Sequence, residues 1–305
     1  MKVQAIILGL IFGLVLPQTT IGQAPANVVS TLEILDIQTK ARTVVLQKKQ
    51  HFEAPNWSRD GKFLVINSNG TLLKVALTGN EMGEIKFSED LRCNNDHLIS
   101  FDNKTLIISA APPTVSGQSF IYTVPIEGGK PQRVTPQTPS YLHGISPDGK
   151  TLLYCAERNK EWDVYSVPTT GGPETRLTNA AGLDDGPEFD YAGKWIYFNS
   201  HRTGRMHLHR MKPDGSQTEQ LTNDALDNWF GHPSPDGKFL VYIAYLEDQK
   251  GKHPFGKDVK LRLMNLKTRQ ISDLTEVFYG GQGTINVPSW SPDGKKIAFV
   301  SYQRP

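Results

Sequence analysis

Short runs of apolar residues that alternate with polar ones recur along the chain, and each is preceded by a turn of similar composition. Phe63-Leu64-Val65-Ile66 and Thr151-Leu152-Leu153-Tyr154 are typical, with turn formers on the side from which the chain arrives. This is the pattern of strands with a buried face, and no apolar spacing of helical period is sustained beyond the first residues of the chain. The preceding turn reads Ser-Pro-Asp-Gly-Lys letter for letter at Ser146–Lys150, Ser234–Lys238 and Ser291–Lys295. Degenerate copies stand at Ser58-Arg59-Asp60-Gly61-Lys62, Ser100-Phe101-Asp102-Asn103-Lys104 and Asp190-Tyr191-Ala192-Gly193-Lys194. Proline suits the second position of a type I turn because its ring fixes φ, and the fourth position needs positive φ, which Gly and Asn tolerate best. All six copies keep Gly or Asn there, so the sequence predicts six tight hairpins.

From Gly61 the turn residue recurs at Asn103, Gly149, Gly193 and Gly237, about 44 residues apart, and then at Gly294. A period of this length carried by short strands indicates propeller blades. A second hairpin series has the same period: Tyr122–Lys130 leads into Arg133-Val134-Thr135, Tyr165–Gly172 into Arg176-Leu177-Thr178, and Leu208–Gly215 into Gln220-Leu221-Thr222. Leu263–Arg269 likewise leads into Asp273-Leu274-Thr275. These are the two outer strands of each blade. The copy missing after Ile297–Ser301 is found at the start, as Leu35–Leu46. The fold expected is all-β: a six-bladed propeller of four-stranded antiparallel blades, closed by N-terminal strands that complete the last blade.

Composition adds three constraints. Formal net charge is +2 with Lys and Arg scattered, which leaves no electrostatic footprint for nucleic acid. Lys2, the apolar run Ala5–Leu16 and small residues near Gly22 read as a signal peptide over residues 1–22, with the propeller over 23–305. The apolar run is short for a membrane span, so a periplasmic or secreted protein without membrane insertion is expected. Cys93 and Cys155 fall at unrelated positions in neighbouring repeats and read as buried free thiols.

The string Pro288–Ser301, Pro-Ser-Trp-Ser-Pro-Asp-Gly-Lys-Lys-Ile-Ala-Phe-Val-Ser, resembles the repeat of TolB-type propellers, as do the outer hairpins. The resemblance covers about residues 27–305 and implies the fold more strongly than any activity. The partner expected is an envelope protein or a carbohydrate ligand. TolB itself also carries an N-terminal α/β domain, for which no room is expected ahead of Val28.

In a four-stranded meander, the approaches to inner strands and the loops between second and third strands share one face. His51, His97, His143 and His232 lie on such approaches, and His201 and His253 on or beside such loops. Glu53, Asn95, Asp96, Asp184, Asp185, Asn228 and Asn286 join them. Either these are solvated side chains of a wet channel mouth, or they form a site for a protein partner or a carbohydrate. The site so defined comprises His97, His143, Asp185, His201, Trp229, His232, His253 and Asn286. Trp229 either contacts a ligand or packs beneath the insertion Glu247–Lys257 and anchors it. No cofactor is expected. If a metal binds, its ligands are expected to be His97, His143 and His232, a set resembling that of propeller-type oligogalacturonate lyases. The main expectation is a non-catalytic binding propeller; the alternative is a metal-dependent polysaccharide lyase.

Overall fold

The computed structural model describes residues 27–115 and 118–304, so the signal peptide expected over residues 1–22 lies outside the described residues. Six small antiparallel sheets stand in a ring, and no helix occurs among the described residues. The first blade comprises Glu53–Trp57, Phe63–Ser68, Thr71–Ala76 and Glu81–Glu84, from the innermost strand outwards. The second runs from Arg92–Ile99 to Gln132–Arg133, the third from Ser140–Ile145 to Thr175–Arg176, and the fourth from Asp184–Phe189 to Glu219–Gln220. The fifth runs from Asp227–Pro233 to Ile271–Asp273.

The sixth blade is assembled from both ends of the chain, as the missing hairpin predicts. Ser30–Asp36 pairs with Lys296–Tyr302, Leu32 opposite Val300, and on its other side with Arg42–Lys48. Its innermost strand departs from expectation: it is reduced to an isolated bridge between Trp290 and Ile297. Ladder bonds persist where Ala298 N–H donates to Ser289 O and Val300 N–H to Thr284 O. The fifth blade departs the other way, because Phe278–Gly281 adds to the front half of the long strand Phe255–Asn265.

The repeated letters have distinct structural duties. Ser146 Oγ donates to Asp148 and accepts the amides of Lys150 and Thr151, so one hydroxyl holds the whole turn. Ser58, Ser234 and Ser291 bind the turn carboxylate in the same way, and Asp190 supplies its own oxygen to Lys194 N–H. In the outer hairpins, the threonines of the Val-Thr and Leu-Thr pairs accept third-strand amides: Thr135 from Ile121, Thr178 from Val164, Thr222 from Leu208 and Thr275 from Leu261. The sheet core lies between blades, where Trp57 and Trp290, in the position before the turn that Ile99, Ile145 and Phe189 take in other copies, are buried. Cys93 and Cys155 are free and buried.

Candidate functional site

Each innermost strand in the first five blades carries a bulge where it enters the ring, seen as a register shift against its neighbour. A bulge turns the strand and re-aims side chains, here towards the axis. In three blades the bulged residue has positive φ: Ala54 at 55°, Gly186 at 61° and Phe230 at 52°. A phenylalanine in this conformation is held only by its surroundings. Asn199 Oδ1 accepts the Phe230 amide at 2.7 Å, and the ring stacks on His143 of the third blade with centroids 6.0 Å apart.

Four of the expected site residues meet around this ring. His143 Nε2 lies 3.0 Å from the Asp185 carboxylate, and His253 Nε2 lies 3.7 Å from its other oxygen. His253 also sets its ring against Trp229 at 4.5 Å and Phe230 at 5.2 Å. The insertion does therefore lie on the histidine-bearing face, folded inward. Burial would raise the Asp185 pKa, but the charge of and hydrogen bond from His143 overcome it and hold the carboxyl at about 2. Burial pulls the His143 pKa down, and Asp185 with Asp96 more than reverses this. Burial lowers the His253 pKa, so its imidazole is biased to neutral. Burial pushes Asp96 up to about 6 and Glu53 to about 8. Glu53 lies 3.4 Å from Asn95 Nδ2 and 3.9 Å from His51 Nε2.

The remaining expected residues go elsewhere. His97 is buried and its Nε2 donates to Val65 O at 3.2 Å. His232 is wedged between blades, one ring nitrogen on Glu188 at 2.6 Å and the other on Ile285 O. The three histidines expected to share a cation therefore do not converge. Among the described residues, no group of three or more His, Cys, Asp or Glu is arranged to hold a metal ion. His201 packs against Gly251 of the insertion, and Asn286 Oδ1 accepts the Gly283 amide. Trp229 is fully buried with its ring against His253 of the insertion. Gly280–Gly283 shapes the approach to the last blade, and Glu53 lies so close to Gly283 that a Cβ there would stand 2.5 Å from the carboxylate.

The opposite end of the axis holds three residues that sequence reasoning passed over. Arg59 of the first blade lies 4.3 Å from the centroid of the Phe101 ring of the second and 5.6 Å from that of Tyr191 of the fourth. It also donates to the Tyr191 hydroxyl at 2.9 Å and to Ile99 O. The void beside them is only about 10 Å³, roughly room for one water. These residues occupy the proline position in the three degenerate turns. That was the available signal: proline is lost where a larger side chain fills the axis. The true prolines instead abut neighbouring turn glycines, as Pro147 does Gly193. A separate shallow cleft of about 460 Å³ lies between the first two blades, lined by Gly70–Leu72 and Glu84–Leu91.

The model of the TolB β-propeller domain matches residues 138–285. An uncharacterized protein of Agrobacterium fabrum is 44% identical over 274 residues, covering 90% of this chain and 92% of that protein. A solved structure from Agrobacterium tumefaciens, described as a TolB, superposes with a TM-score of 0.86 at 43% identity, covering 91% of this chain and 99% of that one. The Tol-Pal system protein TolB of Helicobacter pylori is 26% identical over 52% of this chain and 36% of its own length. An oligogalacturonate lyase in complex with manganese shares the fold alone, with a TM-score of 0.55 at 15% identity over 87% of this chain and 76% of that one.

Proposed function

Because the chain belongs to the TolB-type β-propeller family, we propose that it is a non-catalytic propeller of the bacterial envelope, periplasmic or secreted, that binds a protein partner through its histidine-bearing face. One observation carries this reading. Asp185, His143, Phe230 and His253 are brought together from three blades at one end of the axis, while Arg59, Phe101 and Tyr191 fill the other. A rigid ring that presents fixed loops on one face suits recognition and needs no reacting group. The Helicobacter pylori relative is named for the Tol-Pal system, which supports a protein as partner. The lyase alternative rested on a convergent set of His97, His143 and His232, whereas His97 is bonded to Val65 O and His232 to Glu188 and Ile285 O.

Site-directed crosslinking in the native host tests the proposal. Crosslinker placed at Lys252 on the insertion is expected to trap a defined envelope protein. Asp185→Asn is expected to abolish the adduct at a temperature where thermal melts show the variant still folded, although loss of the buried pair with His143 lowers its Tm. Trapping at Lys150 or Lys238 on the Asp-Gly turns instead, or turnover of uronides by the metal-supplemented protein, would sink it.

A further inference from the structure

His253 comes from the stretch where the fifth blade departs furthest from the repeat, and it is the residue of the insertion that meets both rings. Ahead of Phe255, where the strand pairs with Gly281, residues 247–254 lie outside the ladder, and several of the bonds that fasten this segment and its base are long. Leu246 N–H donates to Asp258 O, Lys252 N–H to Gln249 O and Gln282 N–H to Pro254 O, each at 3.2 Å. A shorter bond ties Gln249 N–H to Asp227 at 2.6 Å, and Lys250 N–H donates to Asp248 within the segment at 2.8 Å. Segments held in this way open at lower free energy than the blades they cover. The tip is nevertheless turned inward, with the imidazole steeply inclined to the Trp229 and Phe230 rings, at 62° and 78°, and its Nε2 3.7 Å from Asp185.

Two aromatic rings beside a carboxylate make a receptor for a cation, because the ring quadrupoles and the anion attract the same charge. Here the receptor is built to a fixed geometry: Phe230 is constrained at positive φ, and Asp185 is held by His143 and by the Gly186 amide at 2.7 Å. Its internal occupant is a weak one. An imidazole biased to neutral by burial fills the space without supplying the charge, and its Nδ1 is buried without a hydrogen-bond partner. Asp96 adds a further carboxyl to the field around His143 and Asp185.

We propose that Trp229, Phe230 and Asp185 form a cage for a lysine or arginine side chain of the partner, and that His253 is an internal stand-in which the partner displaces as the insertion swings out. The identity of the natural ligand as a partner's side chain rests on the function proposed above; the cage itself does not.

The test uses the purified chain and Nα-acetylarginine amide (arginine amide below), titrated by calorimetry, with Nα-acetylcitrulline amide (citrulline amide below), whose ureido side chain is the neutral isostere, as control. Removing the stand-in by His253→Ala is expected to tighten arginine amide binding at least about tenfold, since no internal group must leave first. Citrulline amide should show no such gain, and Asp185→Asn added to His253→Ala should erase it. His253→Phe, which refills the ring contacts, should bind as weakly as the unaltered chain, with thermal melts confirming that each variant is folded. Equal affinity in the unaltered chain and His253→Ala, an equal gain for citrulline amide, or a gain that survives Asp185→Asn would each overturn the proposal. Should the cage fail while crosslinking still depends on this face, the partner-binding function stands without it; should crosslinking fail while the cation binds in this pattern, the cage stands alone.

Discussion

Glu53 shows how much one side chain can reveal about this end of the axis. Its carboxyl lies mostly buried with no Lys or Arg against it among the described residues, and burial raises its pKa from 4.5 to about 8. A carboxyl raised in the folded state binds its proton more tightly there than in the unfolded chain. Ionising it therefore weakens the fold as pH rises between about 4.5 and 8, and the penalty is complete above that window. Glu53→Gln should accordingly match the unaltered protein in Tm near pH 4.5 and exceed it by a growing margin up to about pH 8.5; thermal melts across that range check it. A constant difference would show that the carboxyl is better solvated than its surroundings indicate. Arg59 carries the residue-scale lesson at the other end, where a lost proline marked a gained contact.

The strand and hairpin are the scale at which the sequence was most legible, because each repeated letter meets a backbone need that recurs in every blade. Positive φ at the fourth turn residue is met six times, from 60° at Asn103 to 74° at Gly61. The outer-hairpin threonine could be seen as a repeat without its duty being evident, since the amide it accepts lies on another strand. Thr135 is fully buried and accepts the Ile121 amide at 2.9 Å. Thr135→Val keeps the shape and leaves that amide unpaired, so chemical denaturation should show a loss of about 1–3 kcal/mol. Outer-turn glycines have a comparable constraint: a Cβ on Gly215 would stand 2.6 Å from Leu177 O, so each hairpin can lean on the blade before it. The bulges were not legible, and with them went the site. His97 and His143 share a sequence register, yet the second blade's register shift spans Cys93 to His97 and the third's only Leu142 to Gly144, which sends the two rings to different partners. Asp185, Trp229 and His253 were assigned to one face, whereas their direct contact depends on the inward fold of an irregular segment that no period describes.

For the whole molecule, the ring is secured by the joint between its two ends. Leu32 is fully buried opposite Val300, and Ser301 donates to Glu33 across 268 residues of sequence. Leu32→Ala should cost about 2–5 kcal/mol, as for other large-to-small changes in a packed core, and equilibrium unfolding should lose stability as one unit. A separate early transition confined to the sixth blade would show instead that the other five stand without it. The joint also sets a timetable. A polypeptide threaded through a membrane from its amino end delivers Ser30–Asp36 first and the mate of that strand last. Until Lys296–Tyr302 emerges, the early strand has an open hydrogen-bonding edge, available to any other extended chain nearby. For the envelope location proposed above, export and maturation would therefore be bound to a waiting period in which that edge stays unengaged.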